Sequence, residues 1–181
     1  MEASDGVASF FLLDRTCTHL ALVHNIQLKS KSAGWGLPGG RLNGEDQNDE
    51  GCFLERFKKA AWRELWEETG LAEKDVEDLE FFHRCSVRIF NGQQAIIPVV
   101  VFAGRALTDI VKNTAVPKET DRCDWFPFCP DNPTKHLPQE TYHSHKARIE
   151  EIVAALKKEY AWDHIQYIRK EHEKEKEREG G

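Results

Sequence analysis

Apolar positions fall into runs of two kinds along the 181-residue chain. The stretch VASFFLL, residues 7–13, and HLALVHN, residues 19–25, read as strands, and the polar DRTCT between them makes a hairpin. Residues 29–34 are polar loop, and the proline and three glycines of WGLPGG exclude regular structure there. Residues 41–51, rich in Gly, Asn and Asp, read as a surface loop. A helix is expected from Asp49 or Glu50 to Thr69, with Gly70 at the place of a helix-terminating glycine. Strands follow over 78–90 and 93–106, joined by a turn at 91–93. The run IIPVVVF marks the second as a buried central strand, weakened or bulged at Pro98. Residues 107–120 are polar loop, DRCDWFPF is a short strand, and the proline-rich 128–139 is loop again. From about Gln139 a second helix carries a stripe of Ile149, Ile152, Val153, Leu156 and Tyr160. Its end, RKEHEKEKEREGG, has no apolar residue and reads as a solvated extension or a frayed tail. Strands, helix, strands, helix is the order of an α/β sandwich with a mixed sheet.

The segment with chemistry is FLERFKKAAWRELWEETGL, residues 53–71. On a helical wheel Phe53, Phe57, Ala60 and Ala61 share one quadrant, which should face the core. Glu64, Glu67 and Glu68 fall in the same sector one turn on, while Trp62 and Trp66 lie on the other side. Three carboxylates at i, i+3 and i+4 repel one another, and they crowd the helix C-terminus, where the macrodipole disfavours negative charge. Arg63 supplies one compensating charge. A divalent metal supplies two and prefers oxygen ligands, and Mg²⁺ keeps open positions for water and phosphate. The glycines of WGLPGG just upstream allow a ligand close to the backbone. The competing reading of the triad is a solvated acidic face.

These residues resemble the signature of the Nudix hydrolase family, G-x5-E-x7-R-E-U-x-E-E-x-G-U, where U is bulky and aliphatic. The second half matches throughout, at Arg63, Glu64, Leu65, Glu67, Glu68, Gly70 and Leu71. The first half departs, because nine extra residues separate Gly40 from Arg63. Glu55 keeps the spacing to Arg63, Asp46 keeps the spacing from Gly40, and Glu45 stands in a Gly-Glu pair, so the first glutamate's part stays open among them. The resemblance implies a Nudix-type α/β/α sandwich with a mixed β-sheet, a box helix and a C-terminal helix. The domain is expected over 1–168, with 169–181 a charged extension or tail. The resemblance also implies Mg²⁺, or Mn²⁺, on Glu64, Glu67 and Glu68, with Glu55 as a further candidate. Arg63 would orient a glutamate, and Gly39 and Gly40 would shape the turn.

The implied reaction is attack of water on a pyrophosphate in a nucleoside diphosphate linked to another moiety, such as a nucleoside triphosphate or a nucleotide sugar. Glu64 or a loop acid would be the base, with Glu119 first and Asp124 and Asp121 behind it. Arg41, Arg84 and Arg88 are candidate substrate contacts, and Trp35 is a candidate stacking surface, each against a plain surface or packing role. Two further readings stand beside the enzyme: a catalytically silent nucleotide- or protein-binding module, and an interaction protein built on the charged C-terminal helix.

Composition narrows the partners. The net charge of −6 with no long basic run argues against long nucleic acid. The apolar runs are too short for a membrane span. Five cysteines, no C-x-x-C and a polar, acidic start make a reduced cytoplasmic setting the expectation. Cys123, Cys129 and His136 lack the spacing of a standard zinc site. A homodimer is compatible with the sequence, which leaves the oligomeric state open.

Overall fold

The computed structural model describes residues 6–26, 32–43, 46, 52–90, 94–110 and 120–180. The hairpin forms as its pattern dictates, with β1 at Val7–Leu13 and β2 at His19–Asn25. Asp14 closes the turn. Its Oδ1 accepts the N–H groups of Thr18 and His19, and its Oδ2 accepts the Thr16 hydroxyl. Two short strands follow, β3 (Gly34–Gly36) and β4 (Gly39–Arg41). WGLPGG is therefore not irregular throughout, as its composition implied. Its glycines lie along the flanks of longer strands, Gly36 opposite Val23 and Gly39 opposite Ser9. A Cβ on Gly39 would stand 2.5 Å from the Ala8 carbonyl oxygen, so the pairing needs glycine for space.

The remaining elements are α1 (Phe53–Thr69), a 3₁₀ turn at Glu73–Asp75, β5 (Val76–Phe90), β6 (Gln94–Ala106), β7 (Thr120–Pro127), α2 (His143–Leu156) and α3 (Tyr160–Gly180). Asp49 and Glu50, where the first helix was expected to begin, and the turn at 91–93 lie outside the described residues. The sheet order is β3-β2-β1-β6-β5, with β4 also against β1 and β7 against β2. β1 and β6 run parallel and the other pairs antiparallel, which makes the sheet mixed. Pro98 is tolerated inside β6 because the ladder to β1 begins one residue later, at Val99.

Helices cover both faces, which explains the nearly continuous apolar run of β1. Ala8, Phe10 and Leu12 pack with Phe57, Ala60, Ala61 and Leu65 of α1. Phe11 and Leu13 pack with Ile149, Ile152, Val153 and Leu156 of α2 and Ile165 of α3. The C-terminal stripe holds as far as Leu156. Tyr160, expected to continue it, is 90% exposed, because the chain turns over Lys157–Glu159 and starts a new helix axis. Ile165 takes the next core place. Arg169, first residue of the expected tail, is anchored, its Nη1 donating to the carbonyls of Cys17 (2.6 Å) and Phe128 (3.3 Å). From Glu173 to Gly180 the helix is exposed. Among the described residues no helix is long and apolar enough to cross a membrane.

Glu77 fastens α3 to the sheet, accepting from Arg105 at 2.9 Å and pairing with His164 at 2.5 Å. Burial pushes the Glu77 carboxyl up, but the hydrogen bonds and charges of Arg105 and His164 outweigh it and hold the group below the usual glutamate range. A carboxylate depressed in the folded state stabilises the fold above its unfolded pKa, and that stability is lost as pH falls through the folded value. Wild-type protein is therefore expected to lose stability on acidification below about pH 4.5 more steeply than Glu77→Gln, as read from urea midpoints across pH. Parallel curves would contradict this.

Candidate active site

The site is built on the last two turns of α1. Phe57, Ala60, Ala61, Leu65 and Thr69 form its buried face, and the two alanines let the helix lie close on β1. Trp62, placed away from the core on the wheel, rests its ring 4.8 Å from that of Phe10. Phe53, placed toward the core, is partly exposed against Phe57. Gly70 ends the helix in the left-handed conformation (φ 77°), its N–H donating to the Trp66 carbonyl as the sequence implied.

The acids of the last turns meet the glycine segment. The Gly39 N–H donates to Glu68 Oε1 at 2.7 Å. A Cβ on Gly40 would lie 2.5 Å from Glu64 Oε1, so the side chain of Glu64 occupies the space that glycine leaves open. Glu64 and Glu67 are mostly buried, each with 15% of the side chain exposed. Arg63 reaches Glu64 Oε1 through Nη1 at 3.0 Å and Glu67 Oε1 at 3.7 Å. Its Nη2 donates to Asp46 Oδ2 at 3.0 Å and to the Arg41 carbonyl at 3.4 Å. Burial disfavours the charge on Arg63, but the Asp46 hydrogen bond and the carboxylates of Glu64, Asp46 and Glu67 more than offset it and raise its pKa.

Asp46 is the acid that sequence left open. It is 1% exposed and ion-paired with Arg63. Glu55 keeps its spacing to Arg63 but is exposed in the first turn of α1. At 1.5 Å per residue it stands about 14 Å along the axis from Glu64, so the structure does not bring it to the cluster. Glu45 lies outside the described residues.

The other expected contacts divide. Arg41 is exposed beside the glycine turn and lends its carbonyl to Arg63. Trp35 is only 8% exposed, on the opposite face of the sheet, set edge-on to His24 and Phe126 with the Arg122 guanidinium over its ring. It is a packing residue, not an open stacking surface. Arg84 lies over the Phe53 ring at the far end of α1, and Arg88 is further out on β5, so neither joins the acids.

Of the loop acids, Glu119 lies outside the described residues. Asp121 pairs with His24 at 2.7 Å, and Asp124 accepts from the N–H of Trp125. Cys123 between them is buried under α1. β7 packs on α1 there, and burial first, then the carboxylates of Glu68 and Asp124, push the Cys123 thiol far above the usual range. Cys123 is buried, whereas His136 is exposed. All five cysteines are free thiols.

Among the described residues no three His, Cys, Asp or Glu side chains are gathered closely enough to hold a metal as they stand. The donor set still suits a hard divalent cation. Glu64, Glu67 and Glu68 offer oxygen only, from one helix face, with Glu64 and Glu68 set against the Gly39–Gly40 backbone. Glu64 and Glu67, together with Asp46, set three carboxylates around one guanidinium.

A family model described as the NUDIX domain matches residues 4–129. No curated protein sequence matches the chain. Among solved structures, the NUDIX domain of Shewanella oneidensis NrtR bound to ADP ribose is similar at 17% identity, covering 86% of this chain and 90% of that one, with a TM-score of 0.54. A C. elegans Ap4A hydrolase in a binary complex is similar at 14% identity, 83% and 96% coverage and TM-score 0.54. A MutT NUDIX hydrolase from Burkholderia pseudomallei gives 21% identity, 83% and 99% coverage and TM-score 0.51.

Proposed function

Because this chain belongs to the Nudix family and is a Nudix pyrophosphohydrolase, we propose that it hydrolyses, with Mg²⁺, a pyrophosphate bond in a nucleoside diphosphate linked to another moiety, such as a nucleoside triphosphate or a nucleotide sugar. The observation that carries the proposal is the convergence of Glu64 and Glu68 on the Gly39–Gly40 turn, with Arg63 bridging Glu64 and Glu67. The ADP ribose bound by one structural neighbour and the Ap4A named for another support a nucleotide substrate.

Glu64, Glu67 and Glu68 would hold the cation; Mn²⁺ has the same liking for carboxylate oxygen. When bound, the metal neutralises phosphate charge and lowers the pKa of water. The chain's own part is to position and to move protons. Arg63 holds Glu64 by a charge-assisted hydrogen bond and draws Glu67 by the longer ion pair at 3.7 Å. The glycine turn lets Glu64 and Glu68 lie directly against the backbone, with no side chain between. Glu64, or an acid of the 119–124 segment, accepts the proton of the attacking water.

The test is a panel of nucleoside triphosphates, nucleotide sugars and dinucleoside polyphosphates, each with Mg²⁺ or Mn²⁺, with products identified chromatographically. Metal-dependent appearance of a nucleoside monophosphate, phosphate or pyrophosphate is expected. Nucleotide binding with no product from any member would leave a silent binding module and sink the proposal.

A further inference from the structure

We infer that Asn43 is a positioning residue of the carboxylate cluster, holding Asp46 so that the Asp46 carboxylate sets the Arg63 guanidinium against Glu64 and Glu67. The inference rests on the reading of this site as a pyrophosphohydrolase centre and extends it to a residue at a position the family signature leaves unspecified.

Asn43 and Asp46 exchange hydrogen bonds in both directions. The Asn43 N–H donates to Asp46 Oδ2 at 2.8 Å. The Asp46 N–H donates to Asn43 Oδ1 and to the Asn43 carbonyl, each at 3.2 Å. Two residues three apart that satisfy each other's backbone groups form a capping box, here with Asn and Asp in place of Ser and Glu. The box fixes the Asp46 backbone and its carboxylate together. The same Oδ2 that accepts from Asn43 also accepts from Arg63 Nη2, so one oxygen is located from both sides. Asp46 is fully enclosed, and a buried carboxylate needs all of these partners. The guanidinium is planar and turns as a unit. Where Asp46 places Nη2 therefore decides where Nη1 meets Glu64 and Glu67. The order of influence runs Asn43, Asp46, Arg63, then the two acids.

Asn43→Ala, Asn43→Ser, Asp46→Asn and the Asn43→Ala/Asp46→Asn double variant in the full chain test this. Two readouts are used: steady-state kinetics with the substrate found in the panel, and Mn²⁺ binding titrated by electron paramagnetic resonance. Asn43→Ala is expected to lower kcat by roughly five- to tenfold, leave KM within about twofold and weaken Mn²⁺ binding by about threefold. Asn43→Ser keeps a cap oxygen and should recover both to within about twofold of wild type. Added to Asp46→Asn, Asn43→Ala should cost less than about twofold more, because its route is already cut. Equal losses in the Ala and Ser variants, or losses that multiply in the double variant, would show that Asn43 only supports the fold. If wild type turns over nothing in the panel the functional reading fails, and the Mn²⁺ titration decides on Asn43 by itself. No Mn²⁺ binding to wild type would overturn both.

Discussion

Replacing Glu67 by glutamine is expected to cut metal-dependent product release by roughly 10²–10⁴-fold while the protein melts at the same temperature or slightly higher. Glutamine keeps the shape and one acceptor oxygen but removes the charge a cation needs. Glu67 is mostly buried beside Glu64, whose carboxylate repels it. The weaker member of the Arg63 pair is lost, at 3.7 Å, and the 3.0 Å contact with Glu64 remains. Relief of repulsion should therefore offset the lost ion pair, as expected of a residue kept for chemistry and not for stability. Turnover with several substrates and a thermal melt on the same sample are the measurements. Undiminished turnover would remove Glu67 from the site.

The second large effect separates two neighbouring glycines. At Gly40 an added methyl group meets the far end of a flexible side chain, Glu64, at 2.5 Å. At Gly39 it meets backbone, the Ala8 carbonyl at 2.5 Å and Ser9 Cα at 2.8 Å. Glu64 can swing away, but a paired strand cannot. Gly40→Ala should thus fold with near-normal stability and lose about 10²-fold in kcat, because displacing a reacting group by about 1 Å has that effect. Gly39→Ala should lose about 1–3 kcal/mol of stability by overpacking. Urea unfolding and turnover of both variants would show the split. A pair of variants with matched defects would mean that the turn does not bear on Glu64 as described.

What sequence could reveal here followed from how local each feature is. β1 and β2 were legible to the residue because apolar runs bounded by an Asp-led turn have one reading. The end of α1 was legible because Gly70 alone among its neighbours tolerates positive φ. The inward set of Glu64, Glu67 and Glu68 follows from helical periodicity. The strands β3 and β4 were not legible, since glycine carries no strand propensity and its pairing depends on space beside β1 and β2. Tyr160 sat correctly on a wheel drawn through a helix that in fact stops four residues earlier. Trp35 resembled a stacking platform until the sheet supplied His24, Phe126 and Arg122 around it. The partner of Arg63 was legible only as alternatives. Counting back from Arg63 gives Glu55 and counting forward from Gly40 gives Asp46, and only the path of the chain between them selects Asp46. The Asn-x-x-Asp spacing at 43–46 was the one local signal that could have decided it.

The cysteines give the molecule its own reporter. Cys52 stands exposed at the foot of α1, while Cys123 lies sealed beneath the other end of that helix with its thiolate strongly suppressed. An alkylating reagent should tag the first at once and the second only when α1 lifts from the sheet. The lag between the two tags is then a clock for how often the helix that bears the acids comes away, and a cation that binds those acids would slow it.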